Sequence, residues 1–343
     1  MVDAAAPGAR PVTVLVASNR PYDREGSGSF GSGLAAEMSF AEYTISIPPD
    51  HRAGKIEWPG RVPDARTDFV TLRHRLLDRR DFETKAAERR GDRKARVAVL
   101  VHGYNTNFQE AVFRLAQMSA DAGAEGVPIL FAWPSDGAVA GYVADKDAAT
   151  ASRDQLAALL TRLAGDRRIE RISLIGHSMG GWLAVEAVRQ LRLSGRTAVV
   201  RRLDVVLASP DIDVDVFRSQ MDVVGSLTPP LTILVSKDDV ALRASRLLAG
   251  DRLRLGQLDV GDPVVQEAAR KANVRVLDIG DLASDDPFKH DRFAAFASYY
   301  PTFAARSAGD GKGLRRAGAF VFDGLGATVA SPFVLIGKTA FGD

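Results

Sequence analysis

Cysteine is absent from the 343 residues, which removes disulfide frameworks, thiol nucleophiles and Cys-ligated zinc at once. An excess of one charge is also missing: 45 Lys and Arg stand against 43 Asp and Glu, a formal net charge of +2. That balance gives no electrostatic footprint for a nucleic-acid partner, and none is expected. The basic residues do concentrate locally, from Arg73 to Arg96, but acids are interleaved there. A solvated helix followed by a loop is the expectation, in preference to a phosphate-binding patch. Long apolar runs are scarce. The most apolar late segment, AGAFVFDGLGATVASPFVLIG from Ala317, is broken by Asp323, Pro332 and glycines, which argues against a spanning helix. It reads as a tail packed on the domain, with peripheral membrane contact as the lesser alternative. The opening MVDAAAPGARPVTVLVAS has neither a basic leader nor a sufficient apolar stretch for export. A cytoplasmic protein is expected, with the periplasm left open for a shortened N-terminus.

What is present is a recurrence of short β-branched runs separated by helix-like sequence. The runs are VTVLVAS from Val12, YTISIP from Tyr43, VAVLVHG from Val97, PILFAWP from Pro128, ISLIG from Ile172, LDVVLASP from Leu203, LTILVSKDD from Leu231 and VRVLDIG from Val274. From Val97 onward they are almost continuously apolar, as strands covered on both faces must be. The first two can pair antiparallel at an edge. Between the runs, Asn107 and Glu110 have capping-box spacing and Gly123 closes the helix they open; ASRDQLAALLTRLAGD is a second helix of the same kind. One doubly wound α/β domain over residues 1–300 accounts for this, with its core starting near Val97 and edge strands and the basic helix before it. Residues 301–343 are left as an extension.

The chemistry concentrates at RISLIGHSMGGWLAVEAV from Arg171, a buried strand running straight into a helix. Gly176, Ser178 and Gly180 form Gly-x-Ser-x-Gly, a turn so sharp that the serine hydroxyl projects. The helix that follows aims its unpaired N–H groups and positive dipole end at any negative charge forming beside that hydroxyl. A serine nucleophile needs a base, and the base needs an acid; in chains with this elbow the order is Ser, then Asp or Glu, then His. Of five histidines only His290 follows Ser178, so it is the candidate base. His51 and His74 read as surface residues, and His102 and His177 as turn residues whose backbone matters more than the ring. Asp239, after the strand LTILVS, is the candidate acid, with Asp238 capping or solvated beside it. Asp211 and Asp213, after the preceding strand, stay open as alternatives.

The second oxyanion donor is expected from His102-Gly103-Tyr104-Asn105, where the Tyr104 N–H would join that of Met179. Trp133 and Tyr142 follow the strand PILFAWP, where they either line an acyl pocket or pack beneath it. GSGSFG from Gly26 matches the dinucleotide fingerprint literally, but no strand precedes it directly and no helix follows, so it reads as a surface loop. No cofactor or metal is expected.

VASNR near Val16, SIPPDHRAGKIEWP from Ser46, VHGYNTNF from Val101, FAWPSDG from Phe131, LIGHSMGG from Leu174, LASPDID from Leu207 and VSKDDVAL from Val235 together resemble the α/β-hydrolase superfamily. Within it they are most similar to a bacterial esterase/lipase-like group whose physiological substrates are mostly unassigned. The resemblance implies an eight-stranded, mostly parallel sheet with helices on both faces, and a triad of Ser178, Asp239 and His290. It ends near Pro301. The 22 residues from Ser209 to Pro230, where relatives insert a lid, leave no room for a large lid domain. Hydrolysis of small esters with short to medium acyl chains through an acyl-enzyme is therefore expected. An acyltransferase or amidase with the same triad, and a non-catalytic binding protein on the same scaffold, are the alternatives.

Overall fold

The computed structural model describes residues 2, 4–23, 29–88, 94–123, 126–284, 286–299 and 320–322. The strands are β1 (Arg10–Ser18), β2 (Ser39–Ile47), β3 (Val70–Leu77), β4 (Ala95–Val101), β5 (Val127–Ala132), β6 (Ile169–His177), β7 (Leu203–Ala208), β8 (Leu231–Val235), β9 (Val274–Asp278) and β10 (Phe320–Phe322). They form one sheet in the order β10-β9-β8-β7-β6-β4-β5-β1-β2-β3. Every neighbour pair from β9 across to β1 is parallel. At the ends, β2 and β3 continue from β1 as an antiparallel meander, and β10 closes the opposite edge antiparallel to β9.

Alternation within the parallel strands feeds two cores. In β1, Leu15 and Ala17 join the layer on one face while Val14 and Val16 join the layer on the other. Helix α2 (Phe108–Ala122) covers the second face together with the short α9 (Arg292–Phe296). The first face is covered by α1 (Arg79–Ala86), α3 (Tyr142–Gly165), α4 (Met179–Leu193) and α6 (Val214–Val224). The remaining helices are α5 (Thr197–Val200), α7 (Val240–Leu248) and α8 (Pro263–Ala272). The anticipated punctuation of α2 is present: Asn107 Oδ1 accepts the Glu110 N–H at 2.9 Å, and Gly123 ends the helix at φ 54°. On α4 the stripe Leu183, Ala184, Ala187, Val188 and Leu191 is fully buried.

The sheet carries two strands more than the eight expected. One of them, β3, corrects the reading of Arg73–Arg96: its first part is an edge strand in which Arg73 and Arg75 are exposed, and the helix begins only at Arg79. An edge strand with a solvated face tolerates charge at alternate positions, and the density of Arg and acids hid that period of two. The other is β10. The rest of residues 301–343, and with it the expected tail contact, lies outside the described residues, as do residues 24–28 of the Gly/Ser loop. No helix among the described residues is long and apolar enough to cross a membrane. Helix α3 is longer than the sequence suggested, starting at Tyr142 and running 24 residues. Asp145 in its first turn, outside the helix that the sequence marked, is 1% exposed.

Candidate active site

Parallel strands deliver their following loops to one rim of the sheet, and the candidate residues all sit there. Ser178 stands between β6 and α4 at φ 52°, ψ −121°, a conformation that costs on the order of 1–3 kcal/mol for a residue with a side chain. Close backbone packing enforces it. A Cβ on Gly176 would lie 2.6 Å from the Gly181 Cα, and one on Gly180 would collide with the carbonyl oxygens of Val101 and His102. The Ser178 carbonyl then accepts N–H groups from Gly181 at 3.0 Å and Asp211 at 3.1 Å, fixing the turn from both sides. Asn105, Ser209 and Lys289, in the loops after β4, β7 and β9, are also left-handed. Strain gathers on this rim.

The geometry joins His290 to Asp239. Asp239 follows β8, is fully buried, and caps α7 by accepting the Leu242 N–H at 2.9 Å on Oδ1. Its other oxygen, Oδ2, lies 2.7 Å from His290 Nδ1. A carboxylate only accepts, so the proton of the neutral ring is on Nδ1 and Nε2 is left as the basic nitrogen. Burial pushes the His290 imidazole down, but the Asp239 hydrogen bond and charge, reinforced by Asp211 and Asp286, outweigh it and raise the group above its ordinary value. His290 reaches the elbow through its neighbour: the His177 ring lies 4.6 Å from the His290 ring, and His177 Nε2 donates to the His290 carbonyl at 3.2 Å.

The other acids are engaged elsewhere. Asp238, expected to cap or to be solvated, does not cap; its side chain is 40% exposed and also grips the buried guanidinium of Arg292, with Lys289 at 2.8 Å and the Ser236 hydroxyl at 2.8 Å. The Arg292 hydrogen bond outweighs burial and holds the Asp238 carboxyl far below the usual carboxylate range. Helix capping belongs to Asp239. Asp213 caps α6 and pairs with Arg252. Asp211 is buried and receives the Ser245 hydroxyl at 2.6 Å and the Tyr142 hydroxyl at 3.0 Å, with Arg254 Nε at 3.2 Å.

Four expectations about side chains are corrected here. His51 is not a surface residue: its ring lies between Glu57 at 2.7 Å and Asp121 at 2.9 Å, and those carboxylates outweigh burial and raise it above its ordinary value. His74 is half-buried and stacked on Tyr43. His102 matters through its ring, which is buried, stacked on Trp133 at 4.9 Å, and placed between the carbonyls of Gly103 at 2.9 Å and Trp133 at 3.0 Å. Burial, then the Arg20 charge, pushes it down to about 3. The ring of His177 is used as well, stacked on Phe293 at 4.0 Å. Trp133 is fully buried with its indole N–H on the His102 carbonyl at 2.8 Å, so it supports the loop from beneath, the second of the two roles open to it. Tyr142 is half-buried, its ring edge-on to Tyr104 at 5.3 Å.

Gly103 brings the loop after β4 against the elbow, since a Cβ there would lie 3.0 Å from the Ser178 Cβ. Tyr104 follows it, and Met179 opens α4, where its N–H has no carbonyl one turn earlier inside the helix. Sequence reasoning missed Arg20, Ser135, Asp145, Ser236, Arg254 and Arg292. Arg20, Ser135 and Ser236 lie inside motifs that carried the family resemblance, which was their only signal. No group of three His, Asp or Glu side chains among the described residues is arranged to hold a metal ion.

Residues 79–306 match the family described as "Alpha/beta hydrolase of unknown function (DUF900)", and the chain belongs to that family. A solved structure from Agrobacterium vitis S4 that carries a provisional hydrolase name is 14% identical, with 64% of this chain and 84% of that one covered and a TM-score of 0.30, too distant to inform the site. No curated protein matches.

Proposed function

We propose that the protein is a cofactor-independent serine hydrolase that cleaves carboxylic esters of short to medium acyl chain through an acyl-enzyme on Ser178. His290 Nε2 takes the hydroxyl proton as Ser178 Oγ attacks the ester carbonyl carbon, and Asp239 stabilises the imidazolium that forms. The backbone N–H groups of Tyr104 and Met179 hold the oxyanion, each worth roughly 3 kcal/mol in the transition state. Collapse of the tetrahedral species expels the alcohol, which leaves with the proton from His290. Water then repeats the sequence on the acyl group and frees Ser178.

The observation that carries this reading is the 2.7 Å contact from His290 Nδ1 to Asp239, with the His290 ring against that of His177, the residue before a serine held at φ 52° on an elbow. The expected ester size follows from the connection between β7 and β8, where the described chain has the single helix α6. Hydrolysis of nitrophenyl esters of graded acyl length, with Ser178→Ala in parallel, tests it. Loss of the serine is expected to cost on the order of a thousandfold or more. Equal rates for parent and variant would overturn it.

A further inference from the structure

Asp145 is a carboxylate at 1% exposure in the first turn of α3, and a buried charge of that kind has to be held by donors. Its oxygens accept the Ser135 hydroxyl at 2.6 Å, the Asp136 N–H at 2.9 Å and the Asn105 N–H at 3.1 Å. These donors come from two different loops, the one after β5 and the one after β4, so the carboxylate ties the loops together. Asn105 is the residue after Tyr104, and its left-handed φ of 54° needs an external hold.

Arg20 grips the same loop from the next position. Its guanidinium, 3% exposed, donates to the Trp133 carbonyl at 2.8 Å and to the Thr106 carbonyl at 3.4 Å. Burial pulls Arg20 down to about 10, against the opposing pull of Asp145 and Asp136. The buried positive and negative charges offset each other, so an anion forming at the elbow is not repelled by Asp145 alone. On the other side of Tyr104, the His102 carbonyl is held by the Trp133 indole at 2.8 Å; beyond Asn105, the Thr106 N–H donates to the Ser135 hydroxyl at 3.3 Å. The main chain is pinned before and after Tyr104.

We infer that Asp145 is the positioning residue of the oxyanion loop, a buried carboxylate that sets the Tyr104 backbone N–H for the transition state through its bonds to Asn105 and Ser135. This rests on the acyl-enzyme reading above. Asp145 touches no reacting atom, so it acts only through the loop. An amide of the same shape cannot replace it, because three donors converge on its oxygens and Asn would present an NH2 to at least one of them.

The test compares parent, Asp145→Asn and Ser135→Ala for nitrophenyl ester hydrolysis and for inhibition by butylboronic acid, which forms a tetrahedral adduct on an active serine, with folding checked by circular dichroism. For Asp145→Asn, kcat should fall on the order of 10- to 100-fold while KM stays within about twofold, and boronate affinity should fall in parallel with kcat/KM. A general packing defect would not separate kcat from KM in that way. A folded Asp145→Asn with parental kcat and boronate affinity, or one whose whole defect is in KM, overturns the inference. Should that variant not fold, Ser135→Ala decides, with a smaller fall in kcat expected and an unchanged kcat contradicting. A parent that neither hydrolyses ester nor binds boronate brings down the acyl-enzyme reading and the inference together, whereas an active parent with an indifferent Asp145→Asn brings down the inference alone.

Discussion

On one flank of Ser178 the loops after β8 and β9 meet around a titrating pair, with His290 on Asp239 and Arg292 and Lys289 on Asp238; on the other, the loops after β4 and β5 meet on groups shut away from solvent, the Asp145 carboxylate with Arg20 beside it and the neutral stack of His102 on Trp133. The first flank raises an imidazole above its ordinary value, and the second drives one down to about 3. The difference matches what the proposed mechanism asks of each side. A base must change protonation state during turnover, so its surroundings stabilise the charged form. An oxyanion loop must not move, so its surroundings exclude water and charge changes alike.

The largest way to break the comparison is at the titrating flank. Asp239→Asn removes the partner that fixes the His290 tautomer and stabilises its imidazolium, and kcat for ester hydrolysis should fall on the order of 10³- to 10⁴-fold. The pH profile sharpens it. The base works neutral, and its raised value puts the acid limb of kcat/KM in the parent above about pH 6.5; residual activity of Asp239→Asn should have its limb lower. Unmoved limbs would contradict the pairing.

At the elbow between the flanks, Gly180→Ala places a methyl into the carbonyls of Val101 and His102, backbone atoms that cannot rotate away. A loss of stability of about 3 kcal/mol, the upper end of typical overpacking, is expected in urea unfolding. The buried flank gives a smaller, pH-dependent effect. His102 stays neutral in the folded chain down to about pH 3, while in the unfolded chain it takes up a proton near pH 6.5. The unfolded state therefore binds the extra proton in that window, and stability falls as pH drops through it. The difference in urea midpoint between pH 7.5 and pH 5 should be smaller in His102→Gln than in the parent. The smallest effect lies away from both flanks: Arg270→Ala, which breaks an exposed 2.6 Å pair with Glu267 on α8, should leave the midpoint unchanged.

The elbow and the parallel strands were legible because each is local: Gly176, Ser178 and Gly180 lie within five residues, and apolar runs bounded by turns announce strands covered on both faces. The contact between Asp239 and His290 spans 51 positions, yet the scarcity of histidine after Ser178 made it readable by elimination. The supporting shell was not. Asp145, Arg20 and Ser135 are polar residues that look like solvated surface in any window of sequence, and only the pairing of β1 with β5 and β5 with β4 brings them into one cluster. Likewise β3 hid behind its arginines, because an edge strand needs little apolar sequence. For Trp133 the sequence left two roles open, pocket wall or support from beneath, because proximity to the site does not say which way an aromatic faces; its buried indole serves the His102 carbonyl.

Exposure of the intact protein to a fluorophosphonate probe, with the modified peptide assigned by mass spectrometry, bears most directly on whether Ser178 is an activated nucleophile. The expected result is a single adduct on Ser178, absent from Ser178→Ala and strongly slowed in Asp239→Asn. An unmodified Ser178 in folded protein, or equal modification of the alanine variant, would contradict it.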